Sequence, residues 1–260
     1  MRTYNELSPS PRTIMTPGPV EVDPRVLRAL SYPILGQFDP EFTAYMNDTM
    51  EMLRSVFQTN NRWAFPVDGT SRSGLEAVLT SLIEPGDKVL IPIFGRFGHL
   101  LNEIAVRCGA EVTTLHAEWG TVFDQEEIVS AIKREKPDLV AVVHGETSTG
   151  RVQPLEGIGP ACREAGALLV VDAVATIGGV PVKTDEWGLD AVVGGTQKCL
   201  SVPSGMAPIT FNERAERKIL SRKRVERGIR PPGYEEPEGL GAPIQSNYLD
   251  LAQLMDYWSP

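Results

Sequence analysis

Between about residues 63 and 212, short runs of Val, Ile and Leu alternate with amphipathic stretches of helical length, and few folds satisfy that pattern. Val89 to Phe94, Leu139 to His144, Ala167 to Val174, Ala191 to Thr196 and Ala207 to Asn212 are apolar enough to be strands covered on both faces. Helices are predicted between them at Gly74–Ile83, Gly98–Cys108, Gln125–Glu135, Leu155–Glu164 and Glu213–Arg224, several preceded by capping residues such as Ser73 and Asp124. The alternation predicts an α/β fold with a mostly parallel central sheet and helices on both faces. In such sheets ligands gather at loops leaving the carboxyl ends of the strands, so those loops are where chemistry is sought.

The flanks read differently. Residues 1–30 are rich in Pro and Gly and predict an extended arm, while Gln37 to Phe57 reads as one helix starting near Asp39-Pro40. Lys218 to Arg230 holds six basic residues and one acid, expected to form a solvated helical face or a mobile loop. Asn247 to Trp258 carries an apolar stripe, Leu251, Leu254, Met255 and Trp258, that needs a covering partner. With 25 Lys+Arg against 34 Asp+Glu, the net charge of −9 argues against nucleic acid or an anionic membrane as partner. Three scattered cysteines, Cys108, Cys162 and Cys199, suit a reducing cytoplasm, and neither a secretory leader nor an apolar span is expected.

Lys198 follows the Ala191–Thr196 run among small and apolar residues. It is either a surface lysine or one whose desolvated amine forms a Schiff base. Asp172 ends the apolar Ala167–Val171 run, 26 residues earlier, as a helix cap, a buried ion-pair member or the partner of a pyridine nitrogen. One βαβ-like step would bring the two into one crevice. Asp68-Gly-Thr-Ser-Arg-Ser-Gly opens into a helix, either as ordinary capping or as a phosphate cradle with Thr70 and Ser71 as donors. His144-Gly-Glu-Thr-Ser-Thr-Gly supplies further hydroxyls, or plain turn chemistry. His99, His116 and His144 have no second ligand at metal-binding spacing, so no metal site is expected and structural histidines are the better reading. No nucleophile elbow is present around Ser204.

Together these loops present the handles of pyridoxal phosphate. Thr16-Pro-Gly-Pro, Gly69-Thr-Ser-Arg, Gly95-Arg-Phe-Gly, Gly145-Glu-Thr-Ser-Thr-Gly, Val171-Asp-Ala-Val-Ala-Thr-Ile-Gly-Gly and Thr196-Gln-Lys stand in the order found in the class V, fold-type I aminotransferases of the alanine–glyoxylate and serine–pyruvate group, which the chain resembles along nearly its whole length. The resemblance implies that Lys198 binds the cofactor covalently and moves the substrate proton, and that Asp172 holds the pyridinium proton. It implies that Phe97 stacks on the ring, and that Thr147 donates to the phenolate oxygen. Thr70, Ser71 and Gln197 would face the phosphate; Arg72 stands in the same turn where some relatives have His. Gly18 would lie beside the substrate.

Gly36-Gln-Phe-Asp-Pro-Glu-Phe, Asn61-Arg-Trp, Glu118-Trp-Gly-Thr-Val-Phe-Asp, Gly195-Thr-Gln-Lys through Thr210 and Ser246-Asn-Tyr resemble most the bacterial ureidoglycine–glyoxylate aminotransferases of purine breakdown. Transfer from (S)-ureidoglycine to glyoxylate, giving oxalurate and glycine, is what that likeness implies. An alanine or serine donor is the alternative, and a non-catalytic fragment of the fold another. The Gln37 amide would pair with a ureido group, or it is a helix-start glutamine facing water. The resemblance also implies an arm over residues 1–20, a cofactor-binding large domain over 21–260, a small C-terminal domain absent from this chain, and a homodimer with shared sites.

Overall fold

The computed structural model describes residues 3–259. Met1, Arg2 and Pro260, at the ends of the expected arm and large domain, lie outside the described residues.

Seven strands form the central sheet: β1 (Trp63–Gly69), β2 (Lys88–Ile93), β3 (Glu111–His116), β4 (Leu139–Val143), β7 (Leu168–Asp172), β8 (Ala191–Val193) and β9 (Gly205–Phe211), while β5 (Gly145–Glu146) and β6 (Arg151–Val152) make a small separate hairpin. The sheet order is β1-β9-β8-β7-β4-β2-β3. Neighbours from β8 to β3 pair in parallel, and β9 runs antiparallel to both β8 and β1. All five residues of β4 and five of six in β2 are buried, as strands covered on both faces must be. The expected mostly parallel α/β sheet is the one observed.

The helices are α1 (Pro24–Ala29), α2 (Pro40–Phe57), α3 (Ser71–Leu82), α4 (Arg96–Arg107), α5 (Gln125–Glu135), α6 (Ile158–Ala165), α7 (Glu213–Leu220) and α8 (Leu251–Trp258). α3 rests on β7, β8 and β9, α4 on β2, β3 and β4, and α7 and α8 join α3. α5 and α6 pair with each other against β2 and β7, and α2 lies against β1 and β9. Close approach has a local cause: a Cβ on Gly74 of α3 would stand 2.6 Å from Ala207 Cβ in β9, so only glycine lets helix and strand meet there.

The structure differs from the sequence reading at several places. The arm is not extended throughout, because Asp23 caps α1 with a bond from the Arg25 N–H (2.7 Å) and Pro24 starts the helix. β1 and β3 were not expected as strands. The crossover from β7 to β8 holds turns and no helix, although Asp172 and Val193 are register partners as one parallel step requires. The apolar stripe before Trp258 is covered from within the chain: Leu251, Ala252 and Met255 are buried, and Trp258 stacks on Phe65 with ring centroids 5.4 Å apart.

The basic run is no solvated face. Arg222 is 1% exposed and donates to the carbonyls of Thr80 (2.9 Å), Ile83 (2.8 Å), Ala242 (2.8 Å) and Pro243 (3.5 Å). Lys218 pairs with Glu84, Lys223 with Asp256, and Arg224 and Arg230 with Glu236. These cations anchor the chain's last quarter to α3 and α7.

Candidate active site

A cavity of about 340 Å³ opens at the carboxyl edge of the parallel strands. Gly18, Thr70, Ser71, Arg72, Phe97, Thr147, Asp172, Gln197 and Lys198 line it, together with Leu75, Gly145, Val174, Ala175 and Ser204. Each predicted residue except Gln37 is therefore brought to one place by loops after β1, β2, β4, β7 and β8 and by the arm. Gln37 is exposed and lines a different groove of about 500 Å³, beside Phe38, Phe42 and Tyr257 between α2 and α8.

Asp172, the last residue of β7, is 4% exposed at the cavity floor. Its Oδ1 accepts from the Val174 N–H (3.0 Å). Burial pushes its acid up to about 7; the Val174 bond opposes this, the negative charge of Glu146 adds to it, and Lys198 opposes it. A carboxyl so placed favours a cationic neighbour that can share its proton.

Lys198 is half-buried, less desolvated than its sequence neighbours suggest. Its Nζ donates to the Pro17 carbonyl (2.8 Å), and the Val20 N–H donates to the Gln197 carbonyl (3.2 Å), so the arm lies directly on the lysine loop. Gly18, at φ +122°, makes this possible, since a Cβ there would meet Lys198 Cδ at 2.7 Å.

The turn into α3 leaves helix donors open. Thr70 at the N-cap makes no side-chain cap bond, so the first N–H groups of α3 point outward with the helix dipole behind them. Ser71 Oγ and the Gln197 amide bond each other, with Gln197 Nε2 donating at 2.9 Å. Gly195 holds the cradle open: its Cβ would sit 2.4 Å from Ser71 Oγ. An anion-binding turn, a buried carboxyl that favours a cation, and a lysine and the Phe97 ring lining the same cavity fit pyridoxal phosphate.

Sequence reasoning missed Glu146, which is 1% exposed behind Phe97. Its signal was present, as an acid in a loop of hydroxyls, but one of its partners, the Phe97 N–H, lies 49 residues away. His144 is structural: Nδ1 lies 2.9 Å from Thr176 Oγ1, the ring meets Trp187 edge-on, and burial lowers its pKa to about 4. His99 and His116, distant in sequence, come within 6.1 Å of each other on the surface. Among the described residues no group of three or more His, Cys, Asp or Glu could hold a metal ion.

Residues 34–226 match the model of the aminotransferase class-V family. The chain is 66% identical over 259 residues to the (S)-ureidoglycine–glyoxylate transaminase of Bacillus subtilis, covering 100% of this chain and 62% of that protein. It is 39% identical to the alanine–glyoxylate aminotransferase of Drosophila melanogaster over 95% of this chain and 58% of that one. The crystal structure of the B. subtilis ureidoglycine–glyoxylate aminotransferase superposes with a TM-score of 0.90 at 64% identity, over 98% of this chain and 62% of that chain. An alanine–glyoxylate aminotransferase from Nostoc sp. gives 0.89 at 38%, over 99% and 64%. The chain thus spans less than two thirds of these relatives' length, and it belongs to the class-V aminotransferases.

Proposed function

We propose that this protein is a pyridoxal-phosphate-dependent aminotransferase that moves the amino group of (S)-ureidoglycine to glyoxylate, giving oxalurate and glycine. The observation that carries the reaction type is the meeting of buried Asp172 with Lys198 in one cavity, at the exits of adjacent parallel strands. The donor assignment is supported by 66% identity to a ureidoglycine enzyme against 39% to an alanine enzyme.

When bound, the cofactor supplies an aldehyde that captures amines and a ring that takes up the electron pair freed at the donor's Cα. Lys198 Nζ would hold it covalently and, once the donor's amino group has taken its place, would be the free amine that accepts the Cα proton. Asp172 would keep the ring nitrogen protonated, and that cation would offset the burial which raises the carboxyl's pKa. Thr147, lining the same cavity, would donate its hydroxyl to the ring oxygen, and Phe97 would stack on the ring. The N-terminus of α3, with Thr70, Ser71, Arg72 and Gln197, holds the phosphate. Gly18 keeps the space above Lys198 free for substrate.

In one copy of the chain Gln37 stands outside this cavity. A donor-binding role for its amide therefore calls for a second copy, and we read the protein as a homodimer in which Gln37 of one subunit serves the other's site. The arm is assigned to residues 1–20 and the cofactor-binding large domain to 21–260. Among the described residues no helix is long and apolar enough to cross a membrane, and the free cysteines suit a cytoplasmic enzyme.

The test uses the full-length protein with pyridoxal phosphate. The visible band of covalently held cofactor forms in the wild type and not in Lys198→Ala, and it bleaches with ureidoglycine far more than with alanine or serine. Equal bleaching by alanine would overturn the donor assignment. Mixing Gln37→His and Lys198→Ala subunits, each inactive alone, restores ureidoglycine turnover where sites are shared; no recovery would sink the shared-site reading.

A further inference from the structure

Glu146 is a fully buried acid with no role in the chemistry above, and its carboxylate joins two loops that are far apart in sequence. Oε2 accepts from the Phe97 N–H in the first turn of α4 (2.8 Å). Oε1 accepts from the Ser148 N–H (3.0 Å) and from Ser148 Oγ (2.7 Å). Ser148 Oγ in turn accepts from the Arg96 N–H (3.0 Å), which closes the ring of bonds. The side chain thus caps α4 from another loop, where Gly95 at the N-cap has no side chain to do so. Gly95 is also required sterically, because a Cβ there would stand 2.3 Å from Glu146 Cγ.

The two backbones so joined carry Phe97 and Thr147, which line the same cavity from separate loops. Neither amide orientation of a glutamine could replace this carboxylate. An amide offers one acceptor oxygen and one NH₂ group, so either the Phe97 N–H or the Ser148 N–H would face another donor. We propose that Glu146 is a positioning residue for the cofactor: it fixes the ring-stacking wall and the hydroxyl-donating wall relative to each other before the cofactor arrives. This rests on the cofactor reading given above. It differs from a merely structural role in what it predicts for the bound state.

The experiment compares full-length wild type, Glu146→Gln and Ser148→Ala. Ser148→Ala removes two bonds of the ring at an exposed position and keeps the test available if the first variant fails to fold. Amide hydrogen exchange of the cofactor-free proteins is expected to speed up in the segments around residues 95–100 and 145–150 in both variants. Pyridoxal phosphate should bind about tenfold more weakly to Glu146→Gln, the worth of one charge-assisted hydrogen bond. Its induced visible circular dichroism per bound cofactor should fall, and Ser148→Ala should shift the same way by less. Unchanged exchange in these segments would overturn the proposal. So would faster exchange with wild-type affinity and dichroism, since Glu146 would then only stabilise the fold. A wild type that takes up no cofactor sinks the functional reading and this proposal together, and that outcome is seen before either variant is compared.

Discussion

A carboxyl held away from water keeps its proton longer, and Asp172 does so up to about pH 7 in the folded chain against 3.8 for an ordinary aspartate. Folded protein therefore binds this proton more tightly than unfolded protein. The stability it contributes is full below about pH 4 and is lost as the pH rises to about 7, with no further loss above. His144 works in the other direction, since its contribution is present above about pH 6.5 and is lost as the pH falls toward 4. Asp172→Asn isolates the first effect. In urea melts of cofactor-free protein, the wild type should lose stability relative to this variant between about pH 4 and 7. With cofactor bound the difference should shrink, and turnover of Asp172→Asn should fall roughly 10²-fold or more as the fixed charge is lost. Asp172 stood out in the sequence because a charge at the end of a buried apolar run is expensive without a partner, whereas the residues around Lys198 left a surface lysine open and the family resemblance singled it out. The burial of Glu146 was not legible, because its cost is met by an N–H contributed from another element.

Among the elements, interior strands announced themselves and edge strands did not. β4 is apolar throughout and β7 as far as Asp172, whereas β3, at one edge, reads Glu-Val-Thr-Thr-Leu-His and is only partly buried. β1, at the other edge, contains Pro66, set opposite Pro208 of β9; a residue without an N–H argues against a strand except where pairing is needed on one side only. Helix starts were readable where a side chain caps them, as Asp124 does for α5 through the Glu126 N–H, and shifted by several residues where glycine stands there instead, as at α6. That helix owes its position to packing: a Cβ on Gly159 would stand 1.9 Å from the Trp187 carbonyl oxygen. Gly159→Ala should therefore cost about 3 kcal/mol, measured as a lowered melting temperature, because helix and backbone must be pushed apart. An unchanged melt would mean that α6 can slide.

At the scale of the whole molecule, the net charge of −9 conceals a basic stretch turned inward. Arg222 at 1% exposure satisfies carbonyls from the end of α3 and from residues 242 and 243, so it joins the first helix of the site to the chain's last quarter. Sequence pattern could not reveal this, because six cations in thirteen residues look solvated until the acceptors of Arg222, all at least 20 residues away, are placed. Arg222→Met keeps most of the volume but strands those carbonyls. It should cost about 3 kcal/mol and make the 231–245 stretch more sensitive to limited proteolysis at unchanged cofactor absorbance. Equal cleavage of wild type and variant would show that the stretch is held by the surface ion pairs instead.

The bond from Lys198 to Pro17 spans 181 residues of chain. During synthesis Pro17 leaves the ribosome well before Lys198, and the arm cannot rest on the loop after β8 until that loop has followed it. At ordinary translation speeds that interval is about 10 to 40 s. Lys198 and its cover are thus joined from segments made far apart in time, and a nascent chain stalled before residue 198 also lacks β9, the strand that ties β1 to β8.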